Sequence, residues 1–308
     1  PYMPLSVSDQ VRIPDVRRDG AVGCDSAATF NTALGLWSVM DVRGVIFDVD
    51  GTVVRGDEPI PGAPAGVDAV GDAGLRRLFV SNNPTKPPAA YEARLGRAGI
   101  RVDAEEVLTA GAVAVRYLAE HHADERIAVV GEPGLLELLS EAGLSVERVT
   151  SDGAPGASPD VLVASLDRGF DYDTLRTCLW LLDREGVAFL GTDPDVVIPA
   201  PEGDVPGSGA VIDAIANVAG RDPAAMLGKP SETARTMALE RLGLPPEEVL
   251  VVGDRLDTDV ALGARAGMPT ALVKTGVTDD DDLAASPIEP DYVLDSLAEL
   301  ESLLDGTS

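Results

Sequence analysis

A chain of 308 residues with 45% hydrophobic side chains is long enough for one large core or two ordinary ones. Its formal charge of −28 gives a surface that repels nucleic acid and anionic membranes, which argues against a binder of either. Only three lysines (Lys86, Lys229 and Lys274) stand beside the arginines, a balance that suits a halophilic protein kept hydrated in concentrated salt, where screening removes self-repulsion.

Cys24 and Cys178 form no disulfide framework. With His121 and His122 the only histidines, a zinc site of nitrogen and sulfur ligands is not expected. The histidine pair lies in a polar run and reads as solvent-exposed. No apolar run approaches a membrane span and no basic–apolar secretory leader opens the sequence, so a cytoplasmic location is expected.

Residues 1–39 mix Pro, Gly, Ser and Asp without sustained periodicity and are expected to form a disordered or loosely packed tail, with a short helix at 30–40. From residue 42 the pattern alternates. A strand at 42–47 leads through a Gly/Pro-rich connection to a helix at 66–73; a strand at 77–80 and helices at 88–98 and 110–120 follow. A second set begins with a strand at 127–130, a helix at 135–142, a strand at 161–164, a helix at 172–185 and a strand at 187–190. The loop 191–209 is longer than connections usually are, which marks it as functional. A helix at 210–219 follows. The last region holds helices at 231–242, 258–266 and 296–304 and strands at 249–252, 270–273 and 292–294.

Strands alternating with helices predict an α/β fold with a Rossmann-like, doubly wound parallel sheet. The expected division is a first core part at 40–120, an inserted smaller α/β domain at 121–223 and a second core part at 224–308.

The candidate chemistry sits where strands end. The apolar run Val45-Ile46-Phe47 stops in Asp48-Val49-Asp50-Gly51-Thr52, placing two carboxylates just past the carboxyl end of a buried strand, where open α/β sheets bind ligands. Two such close acids call for a cation or for acid–base work, although Asp-Gly is also ordinary turn chemistry. Ser81-Asn82 follows Leu78-Phe79-Val80 and offers a hydroxyl, an amide and free backbone N–H groups to an anion; the same residues also suit an N-cap or Asx-turn. In Gly228-Lys229-Pro230 a lysine is held between two residues that restrict the backbone, suited to neutralising a phosphate or carboxylate, or simply solvated. Asp254 ends the strand at 249–252 and Asp259 falls in the first turn of the next helix, where an acid also complements the helix dipole. Together the carboxylates are expected to form an oxygen-ligand site for a hard cation, Mg²⁺, and Ser81, Asn82 and Lys229 to supply the anion half: the parts of phosphoryl transfer.

These four stretches, in this order, resemble the four motifs of the haloacid-dehalogenase-like hydrolases, and the branch is similar to the nitrophenylphosphatases and NagD, with a large α/β cap between the second and third motifs. The likeness runs from about 40 to 305 and includes Val130-Gly131-Glu132, Gly191-Thr192-Asp193-Pro194-Asp195, Pro206-Gly207-Ser208-Gly209 and Lys274-Thr275-Gly276-Val277-Thr278. Asp193 stands where Asn is frequent in the branch.

The resemblance implies that Asp48 attacks phosphorus and forms an aspartyl-phosphate, while Asp50 protonates the leaving alcohol and then takes a proton from water. It implies Mg²⁺ on Asp48, the Asp50 backbone carbonyl and Asp254, with Asp259 ordering the metal's waters, and phosphoryl oxygens on Ser81, Asn82 and Lys229. Substrate choice would lie in the cap loop, with Asp195 and Ile198 as candidates. The expected substrate is a small phosphorylated metabolite: a sugar phosphate, phosphoglycolate, a nucleotide or an aryl phosphate. By analogy with such caps, a homodimer through the cap is allowed for. The alternatives are a dehalogenase of the same superfamily, a phospho-acceptor module resembling a receiver domain, and an inactive scaffold; the intact motifs, the acid at Asp50 and the cap stand against them.

Overall fold

A computed structural model describes residues 42–151, 158–199 and 203–306, so the expected tail and its short helix lie outside the described residues. Strand β1 (Gly44–Asp48) is buried along its whole length and becomes the centre of the first sheet. A two-stranded flap, β2 (Val54–Arg55) and β3 (Glu58–Pro59), follows, then α1 (Ala63–Asp72), β4 (Arg76–Ser81), α2 (Pro88–Arg97), β5 (Val107–Thr109) and α3 (Ala110–His121).

The chain then builds a second sheet from β6 (Arg126–Val130), α4 (Pro133–Glu141), β7 (Ser145–Arg148), β8 (Val161–Ala164), α5 (Tyr172–Leu182) and β9 (Ala188–Gly191). A small hairpin, β10 (Val197–Ile198) with β11 (Val205–Pro206), leads to α6 (Ser208–Ala219) and β12 (Ala225–Met226). The return comprises α7 (Glu232–Leu242), β13 (Val249–Gly253), α8 (Ala261–Ala264), β14 (Thr270–Val273), α9 (Asp280–Ala285), β15 (Tyr292–Leu294) and α10 (Leu300–Leu304).

The first sheet has six parallel strands in the order β15-β14-β13-β1-β4-β5. Alternation along β1 sends Val45 and Phe47 into a core with Val67, Phe79 and Leu95, and Ile46 into the opposite core with Met237 and Ala238 of α7. Both faces are covered by helices, as the unbroken apolar strand requires. Phe47 and Phe79 stack across β1 and β4 with ring centroids 5.3 Å apart. The strand order runs outward from β1 through β4 in one direction and through β13 in the other. The crevice at the carboxyl ends of β1 and β13 is therefore the topological switch point.

The second sheet, β12-β9-β8-β6-β7, is also parallel and has cores on both faces: Ala128 and Val130 pack with Cys178 and Ile212, Ile127 and Val129 with Leu135 and Leu139. The expected boundary at 223/224 falls just before β12, whose two residues pair with β9 and so belong to the second sheet. Among the described residues no helix is long and apolar enough to cross a membrane.

Candidate active site

Each predicted strand end arrives at one place. Asp48 is the last residue of β1, Ser81 the last of β4, and Asp254 follows β13 directly. Asp48, Asp50, Ser81, Asn82, Lys229 and Asp254 line a single cavity of about 570 Å³, which Asp195 and Ile198 reach from the second sheet's side. Asp259 lies behind it, fully buried.

Lys229 is the hub. Its ammonium Nζ donates to Asp48 Oδ1 at 2.5 Å and to Asp259 Oδ1 at 2.7 Å. Burial works against its charge, but Asp259 and Asp48 outweigh that and hold the lysine above its ordinary range. Asp254 accepts from the Val277 N–H at 2.8 Å and from the Thr52 hydroxyl at 3.5 Å. Gly51, with φ of 102°, and Gly276 lie so close to the Asp254 carboxylate that a Cβ at either would collide with it.

Asp259 reaches the site by a local irregularity. The expected helix at 258–266 opens as a wide π-type turn over Leu256–Val260 before α8, and the Val260 N–H bonds back to the Arg255 carbonyl. This turn buries the Asp259 side chain, which accepts from the Arg255 N–H at 3.1 Å.

Oxygens of Asp48, Asp254 and Asp259 all lie within 4.8 Å of one another, so three carboxylates face one ammonium. Burial, only partly offset by Lys229, raises the Asp48 carboxyl well above its usual value. Burial and then the Asp259 charge push Asp254 to about 6. Asp48 Oδ2 is buried without a hydrogen-bond partner among the described residues. An all-oxygen set with surplus negative charge and an unpartnered carboxylate oxygen fits a hard divalent cation of the Mg²⁺ kind. Asp259 supplies one of these three oxygens and also pairs with Lys229, beside the two expected ligands Asp48 and Asp254.

The anion half is arranged differently from the expectation. The Asn82 side chain is turned onto the Lys229 backbone: Oδ1 accepts from the Lys229 N–H at 2.7 Å, and Nδ2 donates to the Lys229 carbonyl and to Asp195 Oδ1, each at 3.2 Å. Asn82 thus holds the lysine in place, and Asp195 is tied to the same clamp. Ser81 Oγ pairs with the Tyr91 hydroxyl at 2.9 Å and accepts from the Asn83 N–H at 3.2 Å.

The sequence profile described as haloacid dehalogenase-like hydrolase matches residues 45–145, and one described as HAD-hydrolase-like matches 226–300. An acid sugar phosphatase of Staphylococcus epidermidis is 34% identical over 84% of this chain and 98% of its own length. The chain belongs to the haloacid dehalogenase-like hydrolases.

A dihydroxyacetone phosphatase of Corynebacterium glutamicum is 31% identical, over 84% of this chain and 90% of its own. Among solved structures, p-nitrophenyl phosphatase from Archaeoglobus fulgidus superimposes with a TM-score of 0.76 at 34% identity, over 86% of this chain and 99% of that one. NagD from E. coli K-12 does so with 0.71 at 28% identity, over 84% and 98%. The expected nitrophenylphosphatase and NagD branch is therefore the right one.

Among the cavity residues that were not anticipated, Arg255 and Arg94 make the contacts that bear on the site. Arg255, which donates to the Val197 carbonyl at 3.0 Å, sits between two acidic motif positions and reads as a loop cation. Arg94 is buried on α2 and donates from Nη2 to Asp50 Oδ1 at 2.6 Å. A signal for Arg94 was present: it occupies an apolar position in the stripe Tyr91, Arg94, Leu95 and Ala98.

Proposed function

We propose that the protein is a Mg²⁺-dependent phosphatase of small phosphomonoesters that works through an aspartyl-phosphate on Asp48. The observation that carries this reading is the meeting of Asp48, Asp254 and Asp259 around Lys229, with one Asp48 oxygen buried and unpartnered. The acid sugar, dihydroxyacetone and p-nitrophenyl phosphatases that it resembles make it a hydrolase of phosphoric monoesters.

Asp48 attacks phosphorus as the ester P–O bond breaks, and the departing oxygen takes a proton from Asp50. Water then gives its proton to Asp50 and attacks the same phosphorus; the acyl-phosphate bond breaks, releasing phosphate and restoring Asp48. Asp48, the Asp50 carbonyl and Asp254, with Asp259 beside them, would hold Mg²⁺, which would supply charge neutralisation for the phosphoryl oxygens. Lys229 works against the burial that raises the Asp48 carboxyl and so favours its ionised form, and Ser81 with the backbone N–H groups near it offers donors to the phosphoryl group.

The second sheet serves as the cap. Its hairpin places Ile198 on the cavity wall, and Asp195 reaches Asn82, so substrate selection falls to this region. Small sugar or triose phosphates are the favoured class, in keeping with the relatives' names. The cavity volume suits such ligands. The charge of −28 supports an enzyme that works in concentrated salt with neither nucleic acid nor membrane as partner. Exposed Tyr172 and Trp180, on α5 of the cap, are the surface on which a homodimer would form.

A panel of triose, sugar, glycolate, nucleotide and nitrophenyl phosphates, assayed for phosphate release with Mg²⁺ or with a chelator, tests the reading. Metal-dependent turnover highest on the short sugar phosphates is expected. Absence of release from every ester at both low and multimolar salt would refute it.

A further inference from the structure

Among the described residues, four buried charged ones line the cavity, and three of them, Asp48, Lys229 and Asp254, belong to the predicted motifs. The fourth is Arg94, in the middle of α2. Its guanidinium is fixed in two directions. Nε donates to the Gly56 carbonyl in the flap turn at 2.8 Å, with Nη2 also on that carbonyl, and Nη2 donates to Asp50 Oδ1 at 2.6 Å. Asp57 lies 3.6 Å from Nε.

The Asp50 side chain, which lines the cavity, is 49% exposed, and Arg94 is its one hydrogen-bond partner among the described residues. A carboxyl that must pass a proton to a departing oxygen loses rate steeply when its direction is not held. Three positions earlier on the same face of α2, Tyr91 is fully buried, hydrogen-bonded to Ser81 Oγ at 2.9 Å, and lies under the Arg94 guanidinium, 5.7 Å from Cζ to the ring centroid. One helical turn therefore touches both Ser81 and Asp50.

We propose that Arg94 is a positioning residue for proton transfer at Asp50, and that the Tyr91–Arg94 turn of α2 sets the Asp50 carboxyl and the Ser81 hydroxyl as one unit. The inference rests on Asp50 being the acid–base group of the proposed reaction. Arg94 stays protonated throughout; it fixes Oδ1 by a hydrogen bond and leaves the other oxygen to carry the proton. A lysine could reach Gly56 or Asp50 but lacks the planar fork that spans both.

The test compares kcat/KM for esters whose leaving groups differ, because that quantity covers steps up to departure of the alcohol. Nitrophenolate leaves without a proton, whereas glycerol from glycerol phosphate needs one. Arg94→Met should lower kcat/KM for the alkyl ester by about 100-fold and for p-nitrophenyl phosphate by less than about tenfold, a general-acid signature. Arg94→Lys, which keeps the buried charge and so serves if the Met variant folds poorly, should show the same ordering with smaller losses.

In an Asp50→Asn background, Arg94→Met should add little to either ester. Equal loss on both esters, beside an Asp50→Asn variant that does discriminate between them, would overturn the positioning role and leave a purely structural one. An Asp50→Asn variant that fails to discriminate would instead refute Asp50 as the acid, and the inference with it.

Discussion

Asn82 grips Lys229 by its backbone, accepting from its N–H at 2.7 Å and donating to its carbonyl at 3.2 Å, so that the lysine's ammonium stands between Asp48 and Asp259. The second motif thus fixes the third across 147 residues of chain. This relationship makes the charge balance of the site depend on an amide that carries no charge.

Replacing Asn82 with Ala would leave a buried N–H and C=O of Lys229 without partners. The expected cost is about 1–3 kcal/mol of folding stability, together with at least a tenfold fall in turnover as the ammonium drifts. Chemical denaturation and steady-state kinetics on the same variant check both, and an Asn82→Ala enzyme of unchanged stability would contradict the clamp.

Lys229→Met removes the single cation from among three buried carboxylates. Turnover should fall by at least about 100-fold, the scale lost with one preorganised electrostatic partner. The Mg²⁺ concentration needed for thermal stabilisation should also drop, because surplus negative charge then draws the cation more strongly. Metal-titrated melting curves of the variant and the parent give the comparison.

Asp193 sets a pH dependence away from the metal-binding carboxylates. It is fully buried, accepts from the Thr192 hydroxyl at 3.0 Å, and is pushed up to about 8 by burial and then by the charge of Asp195. Between an unfolded value of about 4 and a folded value of about 8, the folded chain holds a proton that the unfolded chain has released. Unfolding free energy should therefore fall as pH rises through that window, by up to about 1.4 kcal/mol per unit, and level off above it. Asp193→Asn, the neutral amide frequent in this branch, should flatten the slope and stabilise the protein at pH 8. Urea unfolding at pH 5, 6, 7 and 8 shows whether it does.

Salt should stabilise the chain. Screening of a charge of −28 weakens self-repulsion on the folded surface, so the melting temperature should climb from low to multimolar KCl, most steeply below the concentration at which the Debye length reaches about 3 Å. A flat or falling curve would count against the halophilic reading.

Much of this was legible in the residues. β1, β4, β13 and β14 are near-continuous apolar runs ended by polar motifs, so their existence and the place of Asp48, Ser81 and Asp254 followed from pattern alone. Short strands such as Val107–Thr109 and Ala225–Met226 were not, because two or three residues carry no periodicity, although the three-residue Tyr292–Leu294 was placed. Nor could spacing reveal that Asn82 turns toward Lys229 rather than toward an anion, since a side chain's partner in a different motif is set by tertiary packing. Arg94 was hidden by its type: an arginine on an amphipathic helix reads as surface, and its burial follows only from its place in the stripe with Tyr91 and Leu95.

The central claim is that Asp48 is the nucleophile of a metal-dependent phosphatase. Its most direct test is phosphate release from p-nitrophenyl phosphate with Mg²⁺ and with chelator, at low and multimolar salt, beside Asp48→Asn. Turnover abolished by chelation, restored by Mg²⁺ and reduced at least about 1,000-fold in the variant is expected for loss of the attacking group. An Asp48→Asn enzyme that keeps turning over within tenfold of the parent would contradict it.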